Sequence, residues 1–209
     1  MVCYNSLMYT FIGGTQVAGK SYSSKKFVEN SGLNITLIKT DALRLEMIND
    51  PKLRKWINVF WDRDEHEFWQ NTNYEDYVQL LVGQSEAFFP IIMKTVNKIM
   101  AERKHAIFEG VNLLPHLVNK HISFPALFLV CDDRELIFSR LKEHPRWGGT
   151  EQFQRTEAEY IVKYDTRFIR EEAIKFGYKV FNNPSFIEQE LGNIFGMSGV
   201  ERGNLRKEF

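Results

Sequence analysis

Gly14, Gly19, Lys20 and Ser21 stand at the spacing G-x-x-x-x-G-K-S/T inside GGTQVAGKSY, residues 13–22. Between a strand and a helix, that spacing lets successive backbone N–H groups wrap an anion. The lysine then reaches the outer phosphate oxygens and the serine hydroxyl meets Mg²⁺. Thr15, Gln16, Val17 and Ala18 complete the loop and Tyr22 follows it, so residues 14–22 are the expected nucleotide-binding segment. Val17 is the irregular member. Such loops commonly use glycine where the backbone needs positive φ or close approach, and valine resists both.

Further chemistry-bearing residues follow other apolar runs. Asp41 lies 21 residues beyond Lys20, where a carboxylate could take a proton from an acceptor hydroxyl, hold a magnesium water, or simply cap a helix. Arg44, one turn later, could clamp an anionic acceptor or lie on the surface. Glu109 closes the run AIFE, the Walker-B-like position for a carboxylate that meets Mg²⁺ or its water. A base, or an acid paired with a neighbouring cation, are the other readings. Gly110 permits close approach and Asn112 could touch the acceptor. Arg140 and Arg146 flank KEHPRWGG, and Arg155, Arg167 and Arg170 follow. Guanidinium groups on a closing lid could stabilise a transferring phosphoryl group, and Arg140 and Arg146 are the candidates for that work. Arg167 also suits i,i+4 pairing with Glu171.

The elements that must position these residues are legible as short apolar runs. MYTFI (8–12), NITLI (34–38), HAIFE (105–109), ALFLV (126–130) and YKVFN (178–182) are brief and rich in β-branched or aromatic residues, as buried parallel strands are. Helices are expected at 20–30, from Asp41 as N-cap through 48, at about 75–103 with Pro90 as a kink or join, and over 151–177 up to Gly177. Alternating strands and helices predict an α/β P-loop sandwich with a mainly parallel five-stranded sheet. Its site should lie at the carboxyl ends of the strands. One domain is expected over 1–209, with a lid within 140–165 and a small helical acceptor-side region within 42–75. Trp56, Phe60, Trp61 and Trp69 would pack that region or line an acceptor pocket.

Composition narrows the classes. With 27 basic and 27 acidic residues the formal net charge is zero, so no global field draws the chain to nucleic acid or an acidic membrane. No apolar run is long enough to span a bilayer. MVCYNSLMYT lacks a basic leader, and Cys3 and Cys131 make no disulfide framework; a cytoplasmic setting is expected. The five histidines show no metal-ligand spacing. A GTPase switch would need a guanine-reading Asn/Thr-Lys-x-Asp after a strand, and Asn97–Lys98 runs on into Ile–Met within a helix. A nucleic-acid motor would need a larger body or a basic track.

Taken in order, IGGTQVAGKS (12–21), TDALRLEM (40–47), GQSEAF (83–88), AIFEGVNLLPHL (106–117) and RFIREEA (167–173) resemble the 2-phosphoglycerate kinase family of P-loop kinases, of which the chain looks like a divergent member. The resemblance implies ATP and Mg²⁺ at Gly14, Gly19, Lys20 and Ser21. It implies an acceptor-facing role for Asp41 and Arg44, and an acid at Glu109. Val17 and Tyr22 replace the family's usual glycine and threonine, and Asn112 its common histidine. The expected function is ATP-dependent phosphorylation of a small-molecule hydroxyl, on a phosphorylated or acidic metabolite or on another hydroxyl compound, by a monomer or homodimer. The alternative is a P-loop NTPase serving a protein or nucleic-acid partner.

Overall fold

The computed structural model describes residues 7–44, 50–57, 59–60, 65–145 and 150–197. Arg146, Trp61, Cys3 and the Gly148–Gly149 pair lie outside them. Five strands, β1 (Tyr9–Gly14), β2 (Ile35–Lys39), β3 (His105–Glu109), β4 (Ala126–Leu129) and β5 (Val180–Phe181), form one sheet in the order β2-β3-β1-β4-β5. Every pairing is parallel, with Phe11 opposite both Phe108 and Ala126. This is the α/β sandwich with a parallel five-stranded sheet that the alternating pattern predicts.

Alternate residues of the central strands feed two cores, one on each face of the sheet. Phe11, Phe108 and Phe128 point into the first, while Ile12, Ile107, Leu127 and Leu129 point into the second. With both faces covered, the strands read as unbroken apolar runs rather than as alternation. The first core is closed by α4 (Tyr74–Ala101), α5 (Pro115–His121) and α8 (Arg167–Lys175). Two short helices, α2 (Pro51–Ile57) and α3 (Glu65–Asn71), belong to this side, where Trp56, Phe60 and Trp69 pack. The second core is closed by α1 (Lys20–Ser31), α6 (Arg134–Glu143), α7 (Glu151–Tyr160) and α9 (Pro184–Ile194).

Two expectations are corrected. The long helix runs unbroken from Tyr74 to Ala101 with Pro90 inside it, so Pro90 does not join two helices. Asn73 caps its start by accepting from the Asp76 amide. Secondly, Asp41 is not a helix N-cap. It sits within a 3₁₀ turn, Thr40–Leu43, whose cap position is Lys39, and the rest of the expected 41–48 helix lies outside the described residues beyond Arg44.

The 151–177 segment is helical throughout, but it passes through a π-helical turn, Ile161–Thr166, between α7 and α8. The segment lies between the two cores. Ala158 and Ile161 reach the second core, whereas Tyr164, Phe168 and Ile169 reach the first. Gly177, at φ 76°, ends the segment. Among the described residues no helix is long and apolar enough to cross a membrane.

Candidate functional site

From β1 the chain travels to β2 and β3 on one side and later to β4 and β5 on the other. The sheet therefore reverses its strand order at β1, and a crevice opens at the carboxyl end of such a strand. The loop Thr15–Gly19 lies there, between β1 and α1.

Glycine is required at two of its positions. Gly14 has φ 131°, and a Cβ would lie 1.9 Å from the Leu129 carbonyl oxygen on β4. Gly19 has φ 107°, and a Cβ there would come within 2.9 Å of Pro184. Gly19 opens α1 without a side-chain cap, which leaves the first-turn N–H groups and the positive end of the helix to face an anion. Val17 answers the question raised by its sequence: it adopts the left-handed conformation at φ 48°. Its carbonyl accepts a 2.6 Å hydrogen bond from Arg140 Nη1 on α6.

Lys20 is buried and folds back along the loop, donating to the carbonyls of Gly14 (3.1 Å) and Thr15 (2.6 Å). Ser21 Oγ donates to Glu109 Oε1 across 2.7 Å, joining the start of α1 to the end of β3. Glu109 is itself buried at the sheet end. Its backbone carbonyl accepts from Thr40 Oγ1 at 3.2 Å, which ties the 3₁₀ turn to β3. Gly110 makes this approach possible, because a Cβ there would lie 1.9 Å from Thr40 Oγ1 and 3.4 Å from Asp41 Oδ1.

These groups share one cleft of about 590 Å³. Its wall includes Gln16, Val17, Gly19, Lys20, Ser21 and Tyr22 from the loop and α1, with Asp41, Glu109 and Arg140 facing them. Arg44 and Asn112 are not in that lining. Arg44 Nη2 lies 3.6 Å from Asp41 Oδ1 and donates to Asn112 Oδ1 at 2.9 Å, and Asn112 is buried. Gly14, Thr15 and Ala18 are interior to the loop.

The later arginines separate into groups. Arg140 reaches the loop. Arg155 lies over the Phe138 ring and pairs with Glu135 and Glu151. Arg167 pairs with Glu171, as its spacing predicts, and Arg170 pairs with Asp132. Arg146 lies outside the described residues.

The donor set suits magnesium in a particular way. Ser21 and Glu109 offer two hard oxygens, and among the described residues no group of three or more His, Cys, Asp or Glu could hold a metal. Magnesium bound by one or two protein oxygens takes its other ligands from phosphates and water. Pro184, which follows the fifth apolar run, lines the cleft, as do Val111 and His144, which sequence reasoning did not single out as site residues. Gln84 and Ser85, also without an assigned role, bond to Asn112 from the middle of α4. The polar pair Gln84–Ser85 on a helix face otherwise filled by Leu81, Phe88 and Ile92 was the available signal for both.

No protein-family model matches this chain, and no curated protein matches it in sequence. Solved structures of similar architecture include shikimate kinase from Acinetobacter baumannii in complex with shikimate, 13% identical with TM-score 0.48 over 92% of this chain and 96% of that one. Dephospho-CoA kinase from Campylobacter jejuni is 14% identical, TM-score 0.46, over 94% and 98%. Deoxyadenosine kinase from M. mycoides with bound dATP is 15% identical, TM-score 0.45, over 90% and 100%. Likenesses this distant assign no activity to the chain.

Proposed function

We propose that this chain is an ATP-dependent kinase that transfers a phosphoryl group to the hydroxyl of a small molecule, and that the cleft between the glycine loop and Asp41 is its active site. One observation carries the reading. Lys20, the Ser21–Glu109 pair and Asp41 line a single cleft at the carboxyl end of the strand where the sheet reverses order. An anion-wrapping loop alone indicates a bound nucleotide. The exposed carboxylate across the cleft supplies what a second, hydroxyl-bearing reactant needs.

In the proposed reaction the acceptor oxygen attacks the γ-phosphorus in line, and the bond from that phosphorus to the ADP oxygen breaks. The hydroxyl proton passes to the Asp41 carboxylate. Lys20 leaves its loop carbonyls for the phosphate oxygens, and the α1 N–H groups hold the charge that remains on ADP. Ser21 and Glu109 would hold Mg²⁺, which neutralises phosphate charge when bound. Arg140, already at the loop, is the first lid candidate, with Arg146 the second. On this reading the lid lies within 140–165, and α2 and α3 cover the acceptor side. The resemblance to 2-phosphoglycerate kinases favours a phosphorylated or acidic acceptor.

A screen of hydroxylated metabolites with ATP and Mg²⁺, reading phosphorylated products by mass, tests the proposal. At least one hydroxyl compound should gain a phosphate, and Asp41→Asn should lose that product while still binding nucleotide. ATP hydrolysis that ignores every small hydroxyl compound and responds to a protein or nucleic acid would overturn it.

A further inference from the structure

Four polar side chains connect Asp41 to the interior, and their hydrogen-bonding has a direction. The chain begins at the Trp56 carbonyl, in the last turn of α2, which accepts from Gln84 Nε2 at 2.8 Å. A carbonyl can only accept, so the Gln84 amide must turn its nitrogen towards α2 and its oxygen inward. Asn112 Nδ2 donates to that oxygen at 3.1 Å and to Ser85 Oγ at 2.9 Å. Asn112 Oδ1 is thereby presented to Arg44 Nη2 at 2.9 Å, and the same nitrogen lies 3.6 Å from Asp41 Oδ1. Reversing either amide would set donor against donor or oxygen against oxygen.

Burial makes this orientation costly to abandon. Gln84 is 2% exposed, Ser85 0% and Asn112 2%, whereas the Asp41 side chain is 49% exposed at the cleft. Breaking a buried, fully directed network leaves polar groups that water cannot reach. The far end is anchored as firmly, because the Trp56 ring lies over Gly83, where a Cβ would fall 2.4 Å from it.

We propose that Gln84, Ser85 and Asn112 are positioning residues that aim Asp41 at the acceptor through Arg44, so that the seating of α2 on α4 sets the orientation of the reacting carboxylate. The inference rests on the kinase reading for Asp41's role, while the network itself can be tested without turnover. It also gives Arg44 a different place from the clamp expected of it: the guanidinium holds Asp41 from behind rather than meeting substrate in the cleft.

Two measurements test it. With an acceptor in hand, Gln84→Leu and the milder Ser85→Ala should lower kcat, by about 10- to 100-fold for Gln84→Leu, while KM for ATP stays within about twofold. In an Asp41→Asn background Gln84→Leu should cost little more, because its effect passes through Asp41. Equal loss in both backgrounds, or a matching rise in KM for ATP, would overturn the assignment. The second measurement needs neither ATP nor acceptor. Asp41→Asn, a change at an exposed side chain, should move the ¹H–¹⁵N signals of the Asn112 side-chain amide; unmoved signals would refute the relay. Should the wild-type chain phosphorylate no hydroxyl compound, the kinase reading fails, and the amide signals still decide the network.

Discussion

Replacing Val17 by alanine and by glycine turns one backbone angle into a measurable sign. Val17 is at φ 48° and half-buried against the second core. Both substitutions remove its branched methyl groups, so the lost packing largely cancels when the two variants are compared with each other. What remains is the backbone. A left-handed conformation costs an L-residue about 1–2 kcal/mol that glycine does not incur. Glycine's greater freedom in the unfolded chain returns roughly 0.5–1 kcal/mol of that. The glycine variant should therefore be the more stable by about 0.5–1 kcal/mol, read as a melting-temperature difference of about 1–4 °C for a chain of this size. At an ordinary φ the order reverses, with alanine ahead by roughly 0.5–1 kcal/mol. Thermal and urea unfolding of both variants decide the matter. An alanine variant that outlasts the glycine variant would refute the left-handed assignment, whatever the wild type does.

Lys20→Ala should reduce phosphoryl transfer by at least about 10³-fold, and Asp41→Asn by roughly 10²–10⁴-fold with nucleotide affinity retained. Single-turnover rates and direct nucleotide titration separate the two, and loss of ATP binding by the Asp41 variant would remove its assigned role. Gly110→Ala should displace Thr40, whose Oγ1 lies 1.9 Å from the added carbon, carry the adjoining Asp41 with it and lower turnover about 100-fold; undiminished turnover would mean the 3₁₀ turn does not govern catalysis. A pH effect is expected at the α1–α9 seam. Burial pushes the Glu188 carboxyl up, against the opposing pull of Lys26 3.4 Å away. The stability this group contributes is full below the carboxylate's unfolded value and is lost as pH rises through the higher folded one. Glu188→Gln should thus gain on the wild type as pH rises above the ordinary glutamate value of about 4.3 in urea titrations; a wild type that gains on the variant with rising pH would contradict this.

The strands and the glycine loop were readable because each depends on local composition. A buried parallel strand must be apolar on both faces, and a loop that admits the Leu129 carbonyl must have glycine at 14. Of the two readings of Pro90, a kink or a join, the join falls because packing of Phe88, Phe89 and Ile92 into the first core holds one helix through it. Asp41 was singled out by its place after β2, but its 3₁₀ turn depends on a hydrogen bond from Thr40 to a strand 69 residues away. The Arg167–Glu171 pair was readable from its spacing, whereas tertiary structure is needed to set Arg170 beside Asp132, Arg155 beside Glu135 and Arg140 at the loop. Gln84 was hidden for the same reason: helical periodicity says that it faces inward, not that Asn112 waits there.

The seam between α1 and α9 has a consequence for how the protein comes into being. Ser23 donates to the Pro184 carbonyl, Lys26 pairs with Glu188, and Pro184 abuts Gly19 at the mouth of the loop. The helix that follows the glycine loop is thus completed by a partner made some 161 residues later. A ribosome-bound chain that has already made its glycine loop still lacks one wall of the pocket. Contacts so distant in sequence form late. The proposed nucleotide should then be held only once the chain extends past Pro184, and nascent chains ending before Pro184 should acquire their sheet before they acquire that ligand.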